Sequence, residues 1–463
     1  MRVTGTLHSL ARAVFCEDTN FSYFHCSRIR IFLLFSYSDT MVSKLVLEIV
    51  TSMGDDDDDF FARASLGAGK PKKKAKYTYE RMGWEDGHLA MLRHLGEDEF
   101  QRRYHMTEAS FNKLVELLRD DLAIDKKQSA NSTGGNAPII PELVVASGLR
   151  FLGGESYAAL ADIFGISLSS ARRIVNKFLN AVQDCPELAL KLPTTTEELK
   201  QHADDWEKLS GAFGLFYGAI GAIDGWLACI QAPSKNDPSF DGRPNQTCFF
   251  SGHYQRYGLN IQAVCDANLR FIYFGVIAPG KTNDLRAFGR CEKLQEWLKD
   301  LPPEYFLVGD NAYTLSNNLL VPFSGSQKKE KYKQEYNFYL SQLRIRIEMA
   351  FGRLTTKWRI FRKNLDCTLQ KNSLICSVAA RLHNFVIDND RISFPDGNDN
   401  ELTEFGIDAL LDGPDGNNGF LPSTVEDENE VDNAERRNHI LAGIEEKQLV
   451  RPAHNILRND VGE

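Results

Sequence analysis

Long apolar runs are missing from this chain of 463 residues. None approaches the roughly 18 apolar residues that a membrane-spanning helix needs. The nine cysteines are scattered, odd in number and without a C-x-x-C pair. A disulfide framework or a zinc site is therefore not expected, and a reducing compartment fits best. A single sign of charge is missing too. The net charge of −9 is unevenly placed, with −13 from Asp388 onward and +4 on everything before it. A mildly basic body with an acidic tail is compatible with a nucleic-acid partner, although the excess alone is slight. With 43% hydrophobic residues the chain can bury a sizeable core, and its length suggests about three domains.

Acids are also scarce where the chain is most basic. Residues 344–363 contain seven Arg or Lys and one acid, Glu348. At helical period Ile347, Ala350, Phe351, Leu354 and Trp358 form an apolar stripe, with Glu348, Gly352, Thr355 and Arg359 on another face. Glu348 has two readings: an ion-pair partner of Arg344 one turn earlier, or a metal ligand on a surface that lies along phosphates. The second needs further carboxylates at the same point. Arg344, Arg353, Lys357 and Arg359 are the candidate DNA contacts here.

Met1–Ser52 is unlike the rest and reads poorly as a signal peptide, since its longest apolar run, Ile31–Phe35, is short and far from the start. An organelle transit peptide and a translation start at Met53 both remain open. Gly54–Lys76 sets Asp55–Asp59 against the basic block Lys70–Lys76 and should be disordered. The basic block reads as a nuclear import signal or a loose phosphate contact, with a solvated linker as the plain alternative. Residues 1–76 thus form a leader and linker.

Residues 77–210 read as a helical domain. Phe111, Leu114, Val115, Leu117 and Leu118 give one apolar face, and a polar loop follows over Asp125–Ala137. Leu143–Leu152, Ser156–Phe164 and a third helix from Ile166 then form a helix-turn-helix at about 141–182, with Ser167 or Ser169 as N-cap. Its core would be Leu160, Ala161, Ile166, Ala171, Ile174, Val175 and Phe178. Arg172, Arg173, Asn176 and Lys177 are left outside, where a recognition helix meets DNA. A purely packing domain is the alternative.

Residues 211–388 read as a mixed α/β sheet with flanking helices. Phe216–Asp224 and Tyr305–Asp310 are buried-strand runs, each ending in an acid; Tyr257–Asp266 and Phe271–Ile277 form a hairpin; Asp284–Leu298 is one amphipathic helix. Lys328, Lys329, Lys331 and Lys333 interleave with Tyr332, Tyr336, Phe338 and Tyr339, which suits either a phosphate track with stacking or a helix with an aromatic packing face. Ser373–Ile387 is a closing helix in which His383 reads as structural. Residues 389–463 read as an acidic, mostly disordered tail, dispensable for folding. Carboxyl ends of neighbouring strands converge on one sheet edge. Asp224, Asp310 and Glu348 could meet there and would repel unless cations sit among them, Mg²⁺ or Mn²⁺ being the natural occupants.

From Gly221 to Asn384 the chain resembles the DDE superfamily endonuclease domain of PIF/Harbinger-type transposases. The motifs are Ala-Ile-Asp224-Gly, Pro279-Gly-Lys-Thr-Asn-Asp284, Val308-Gly-Asp310-Asn-Ala-Tyr, Arg346-Ile-Glu348-Met-Ala-Phe-Gly-Arg-Leu and Leu382-His-Asn384, in that order. The resemblance implies an RNase H-like core, two divalent metal ions held by the catalytic residues Asp224, Asp310 and Glu348, and cutting and joining of double-stranded transposon DNA. It implies a second-shell or substrate-contacting role for Asp284, and a separate Myb-like DNA-binding partner. A nuclear location and a homo-oligomer go with it. One departure stands out. Trp226-Leu227 follows Asp224-Gly where the family commonly has Thr-His, and the lost His would weaken a contact near the first metal. A host-recruited relative that binds DNA or protein without cutting is the alternative function.

Overall fold

A computed structural model describes residues 90–123, 139–240, 245–325, 330–390 and 435–450, together with the backbone of three short strands before them. Those strands, β1 (Tyr23–Cys26), β2 (Ile29–Phe32) and β3 (Glu48–Val50), pair antiparallel in order within a small separate unit. The basic block Lys70–Lys76, the loop Asp125–Ala137 and most of the acidic tail lie outside the described residues.

The second unit, Glu80–Glu463, carries everything else. Its first helices are α1 (Ala90–His94), α2 (Glu97–Tyr104) and α3 (Glu108–Leu118). The expected face of α3 is buried, with Leu117 only partly so. The stretch expected to form a helix-turn-helix is three helices, α4 (Pro141–Leu152), α5 (Tyr157–Phe164) and α6 (Leu168–Asp184). Local chemistry sets its joints. Ser156 Oγ accepts from the Ala159 amide at the start of α5, and Ser167 Oγ from the Ser170 amide at the start of α6. Between them Gly165 takes φ 58°, a left-handed turn in which a β-carbon is costly. Ser167 is thus the N-cap. Leu160, Ile166, Ala171, Ile174, Val175 and Phe178 are buried, as their spacing predicts.

α7 (Thr196–Glu207), opened by a Thr195/Glu198 capping box, leads to the sheet. Its strands are β4 (Ala219–Cys229), β5 (Phe250–Ser251), β6 (Arg256–Cys265), β7 (Phe271–Pro279), β8 (Phe306–Val308) and β9 (Leu319–Leu320). The neighbours run β7, β6, β4, β8, β9, with β5 beside the start of β6. β4, β6 and β7 are antiparallel; β8 and β9 run parallel to β4.

Two expectations change here. Asp224 lies inside β4 rather than at its end, because β6 keeps pairing with β4 as far as Cys229. Asp284–Leu298 is two helices, α8 (Asp284–Phe288) and α9 (Glu292–Lys299), interrupted at Gly289. Residues on both sides of position 210 belong to one compact unit. There α6 lies against α11 (Leu369–Asn389), with Ser377 Oγ donating to Gln183 at 2.7 Å. Trp297 Nε1 also donates to the Pro193 carbonyl at 2.8 Å.

α10 (Lys331–Lys357) crosses the sheet over β4. Its stripe of Ile347, Ala350, Phe351 and Leu354 is buried, and Trp358 at its C-cap is fully so. Burying each large side chain contributes about 1.5–3 kcal/mol. Two of the four aromatics of its first turns serve packing. Tyr336 and Tyr339 are buried, and the Tyr336 ring lies 5.6 Å from Phe216 and 5.1 Å from Phe323. On α11, His383 and Asn384 fasten the β6–β7 hairpin. His383 Nε2 is 2.8 Å from the Leu269 carbonyl, and the Asn384 carboxamide bonds both the amide and the carbonyl of Phe271 at 2.8 Å.

The tail expected to be disordered contains α12 (Glu435–Glu446), which packs on α10. Ile440 and Ile444 bury one apolar side, and the Arg437 guanidinium sits 4.2 Å from the Phe323 ring centre. The acid count of the tail as a whole hides this short apolar repeat.

Candidate active site

Strand register brings the two aspartates together. β4 and β8 are parallel, with Ala222 beside Val308. Asp224 stands two residues further along β4 and Asp310 two residues past the end of β8, near enough for Asp310 to act on Asp224. Neighbouring strands are about 4.8 Å apart. Asp310 turns its carboxylate back to accept from the Ala312 amide at 2.9 Å, and Asp224 accepts from the Gly225 amide at 2.8 Å.

α10 supplies the third acid. One nitrogen of Arg344, Nη1, lies 2.5 Å from Glu348 Oε1 and 3.9 Å from Asp224 Oδ2. The ion pair with Arg344 and the convergence with the aspartates therefore hold together. Asp224 and Glu348 keep 20% and 33% of their side chains exposed, so the cluster opens to solvent. Burial, then the neighbouring Asp310, pushes the Asp224 carboxyl up to about 8, with Glu348 adding to the shift and Arg344 opposing it. Burial also raises Asp310, with Asp284 and Glu348 adding to it while the Ala312 amide and Arg344 pull down.

Asp284, at the first turn of α8, is held from β6. Its Oδ1 accepts from Asn260 Nδ2 and Gln262 Nε2, both at 3.0 Å, and Tyr313 Oη donates to Gln262 Oε1 at 2.8 Å. It lies so close to β4 that a β-carbon on Gly225 would stand 2.2 Å from Asp284 Oδ1. The glycine after Asp224 therefore makes room for this fourth acid. Sequence reading missed Asn260 and Gln262. Their signal is two polar residues at alternate positions within Leu259–Ala263, a strand stretch otherwise apolar. It also missed Tyr254, whose hydroxyl is pushed up to about 12 by burial and then by Asp284, Asp224 and Asp310.

The candidate DNA contacts divide. Arg172, Arg173 and Arg359 are exposed, and Arg353 is half-buried. Four others face inward. Arg344 faces the acids. Lys357 Nζ donates to the His105 carbonyl at 2.9 Å, Lys177 Nζ to the Ala123 carbonyl at 2.9 Å, and Asn176 Oδ1 accepts from Lys371. Close polar partners on neighbouring segments draw these side chains in. Trp226 stacks on Phe351 with ring centres 5.8 Å apart and meets the edge of Phe361 at 5.2 Å. An aromatic cluster thus fills the space beside Asp224 where the family pattern has polar residues.

The family described as DDE superfamily endonuclease matches residues 223–384, a span that contains all four acids. Residues 223–384 carry a DDE superfamily endonuclease domain, and the chain is similar to Harbinger-type nucleases. It is 27% identical over 330 residues to "Protein ALP1-like" of Arabidopsis thaliana, covering 67% of this chain and 76% of that protein. It is 24% identical over 280 residues to "Putative nuclease HARBI1" of Rattus norvegicus, covering 60% and 74%. A bacterial relative, "Putative transposase for insertion sequence element IS112" of Streptomyces albus G, is 26% identical over 234 residues, covering 49% and 73%.

The donor set of a DDE endonuclease is hard oxygen, and Asp224, Asp310 and Glu348 supply it in mutual range, each aspartate raised by burial and further by its acidic neighbours. Those residues fit a divalent ion in chemistry. Among the described residues, no three His, Cys, Asp or Glu side chains stand close enough to grip an ion as they lie. Arg344 bridges two of the three acids. No helix among the described residues is long and apolar enough to cross a membrane.

Proposed function

We propose that this protein is a metal-dependent DNA endonuclease of the transposase type, cutting and joining transposon ends. The observation that carries the reading is the parallel β4–β8 register, which sets Asp224 beside Asp310, with Glu348 linked to Asp224 through Arg344. The sheet order supports the RNase H-like assignment. Asp224, Asp310 and Glu348 would hold the Mg²⁺ or Mn²⁺ ions. Two such ions, when bound, activate an attacking oxygen and stabilise the leaving one. Asp284, fixed by Asn260 and Gln262, orients what lies against Gly225. Tyr254 stands beside the acids, partly exposed, where it can touch an entering phosphodiester. Arg172 and Arg173 on α6 and Arg359 after α10 would contact DNA phosphates. The domain reading keeps a helical part before residue 210 and a nuclease part after it. A nuclear location, a Myb-like partner and a homo-oligomer belong to the same reading.

The second reading is a recruited, non-cutting DNA- or protein-binding relative. The aromatic packing of Trp226 beside Asp224 favours it. The assay that separates them is nicking of a supercoiled plasmid carrying the element's own ends, with Mn²⁺ or Mg²⁺ and the partner present. Wild type should nick. Asp224→Asn, Asp310→Asn and Glu348→Gln should each abolish nicking, and double variants should lose no more than single ones. Equal cutting by wild type and Asp310→Asn would sink the triad assignment. A wild type that never cuts with its proper ends and partner leaves the binder.

A further inference from the structure

Helix geometry alone brings Arg344 to Glu348, one turn later on α10. It does not bring Arg344 to Asp224. That contact spans from α10 to β4, and the same guanidinium nitrogen makes both. A plain helical ion pair would leave Asp224 aside. The Arg344 side chain is 28% exposed, so part of it meets solvent. A guanidinium cannot share the gap between Asp224 and Glu348 with a metal ion, because both take the same oxygens and repel each other.

We propose that Arg344 is a built-in counter-ion of the active site: in the metal-free protein it bridges Asp224 and Glu348, keeps them converged, and competes with the divalent ion for them. This rests on the metal-dependent reading above. Arg344 is then a positioning residue with two opposed effects. It stabilises the cluster when no metal is bound, since removing it leaves acids facing acids. It also weakens metal binding, since the ion must displace it. Binding and displacement are thereby coupled, so that loading the site frees one positive charge at its mouth.

The test uses the full chain and Mn²⁺ alone as probe, with no DNA. Free Mn²⁺ is followed by its electron paramagnetic resonance signal, and melting is recorded with and without saturating Mn²⁺. Arg344→Gln should bind Mn²⁺ about tenfold more tightly than wild type, the scale expected for removing one competing charge at this range. It should melt below wild type without metal, and the deficit should shrink when Mn²⁺ is bound. Should Arg344→Gln fail to fold, Arg344→Lys carries the test. A lysine ammonium lacks the planar fork that bridges two acids, so affinity should rise about threefold. Unchanged Mn²⁺ affinity in the folded variant, or a melting deficit equal with and without Mn²⁺, overturns the proposal and leaves Arg344 a structural residue. If wild type and both variants bind no Mn²⁺, the metal-dependent reading falls and this proposal falls with it.

Discussion

Two basic helices in this protein treat their cations in opposite ways. α10 turns Arg344 onto Asp224 and Glu348 and Lys357 onto the His105 carbonyl. α6 leaves Arg172 and Arg173 exposed, tying only Asn176 and Lys177 to its neighbours. Both helices look alike as strings of Arg and Lys beside an apolar stripe. What differs is the set of acceptors opposite each face. α10 crosses a sheet edge that carries carboxylates, so its cations have partners within reach. Among the described residues, the partners of Arg172 and Arg173 on the outer face of α6 are the Tyr157 ring and the Ser170 hydroxyl. A row of cations is therefore a DNA surface only where the fold offers nothing closer to bind.

The strongest way to break this contrast is to loosen α10 while leaving α6 in place. α12 packs on α10 through Ile440 and Ile444, both buried. Truncation before Glu435 should cost about 3 kcal/mol from those two side chains alone. That is opposite to what the acid content of the tail suggests. The measurement is a urea melt of the truncated and full-length chains. Equal midpoints would mean that α12 contributes nothing to α10.

Acid should act next, and again on the α10 side. His105 is pushed down to about 4 by burial and then by Lys357 and Arg359. His383 is pushed down to about 4 by burial, against the bond to Leu269. The ordinary value in the unfolded chain is about 6.5. The unfolded state therefore binds protons first on acidification. Stability from these neutral histidines is complete above about pH 6.5 and lost as pH falls toward 4. Near pH 5 the loss should be about 2 kcal/mol for His383 and somewhat less for the partly exposed His105. His105→Asn, a residue that tolerates the φ of 60° found there, should flatten part of that slope. A slope identical to wild type would show that this histidine does not couple α10 to acid.

The smallest effect belongs to α6. Arg173→Ala should change stability by no more than about 0.5 kcal/mol. It should weaken DNA binding and reduce the dependence of log affinity on log salt by about one unit if Arg173 contacts a phosphate. Unchanged affinity and slope for both Arg172→Ala and Arg173→Ala would make α6 a packing helix and remove the contrast.

Local pattern in the sequence determined a good deal. The spacing of Ile347, Ala350, Phe351, Leu354 and Trp358 fixed the buried face of α10, because helical period alone decides which side chains share a side. Ser156, Gly165 and Ser167 fixed the joints of the three-helix stretch, because caps act within three or four residues. The motifs around Asp224, Asp284, Asp310 and Glu348 marked the family. Contacts between distant segments were decided only by the fold. Asp224 and Asp310 become neighbours through strand register, 86 residues apart in the chain. The hold of Asn260 and Gln262 on Asp284, the crossing of Arg344 to Asp224, the inward turn of Lys357 and the docking of α12 all depend on which surfaces meet. A charged side chain settles on the nearest acceptor in space, and distance along the chain carries no information about where that acceptor lies.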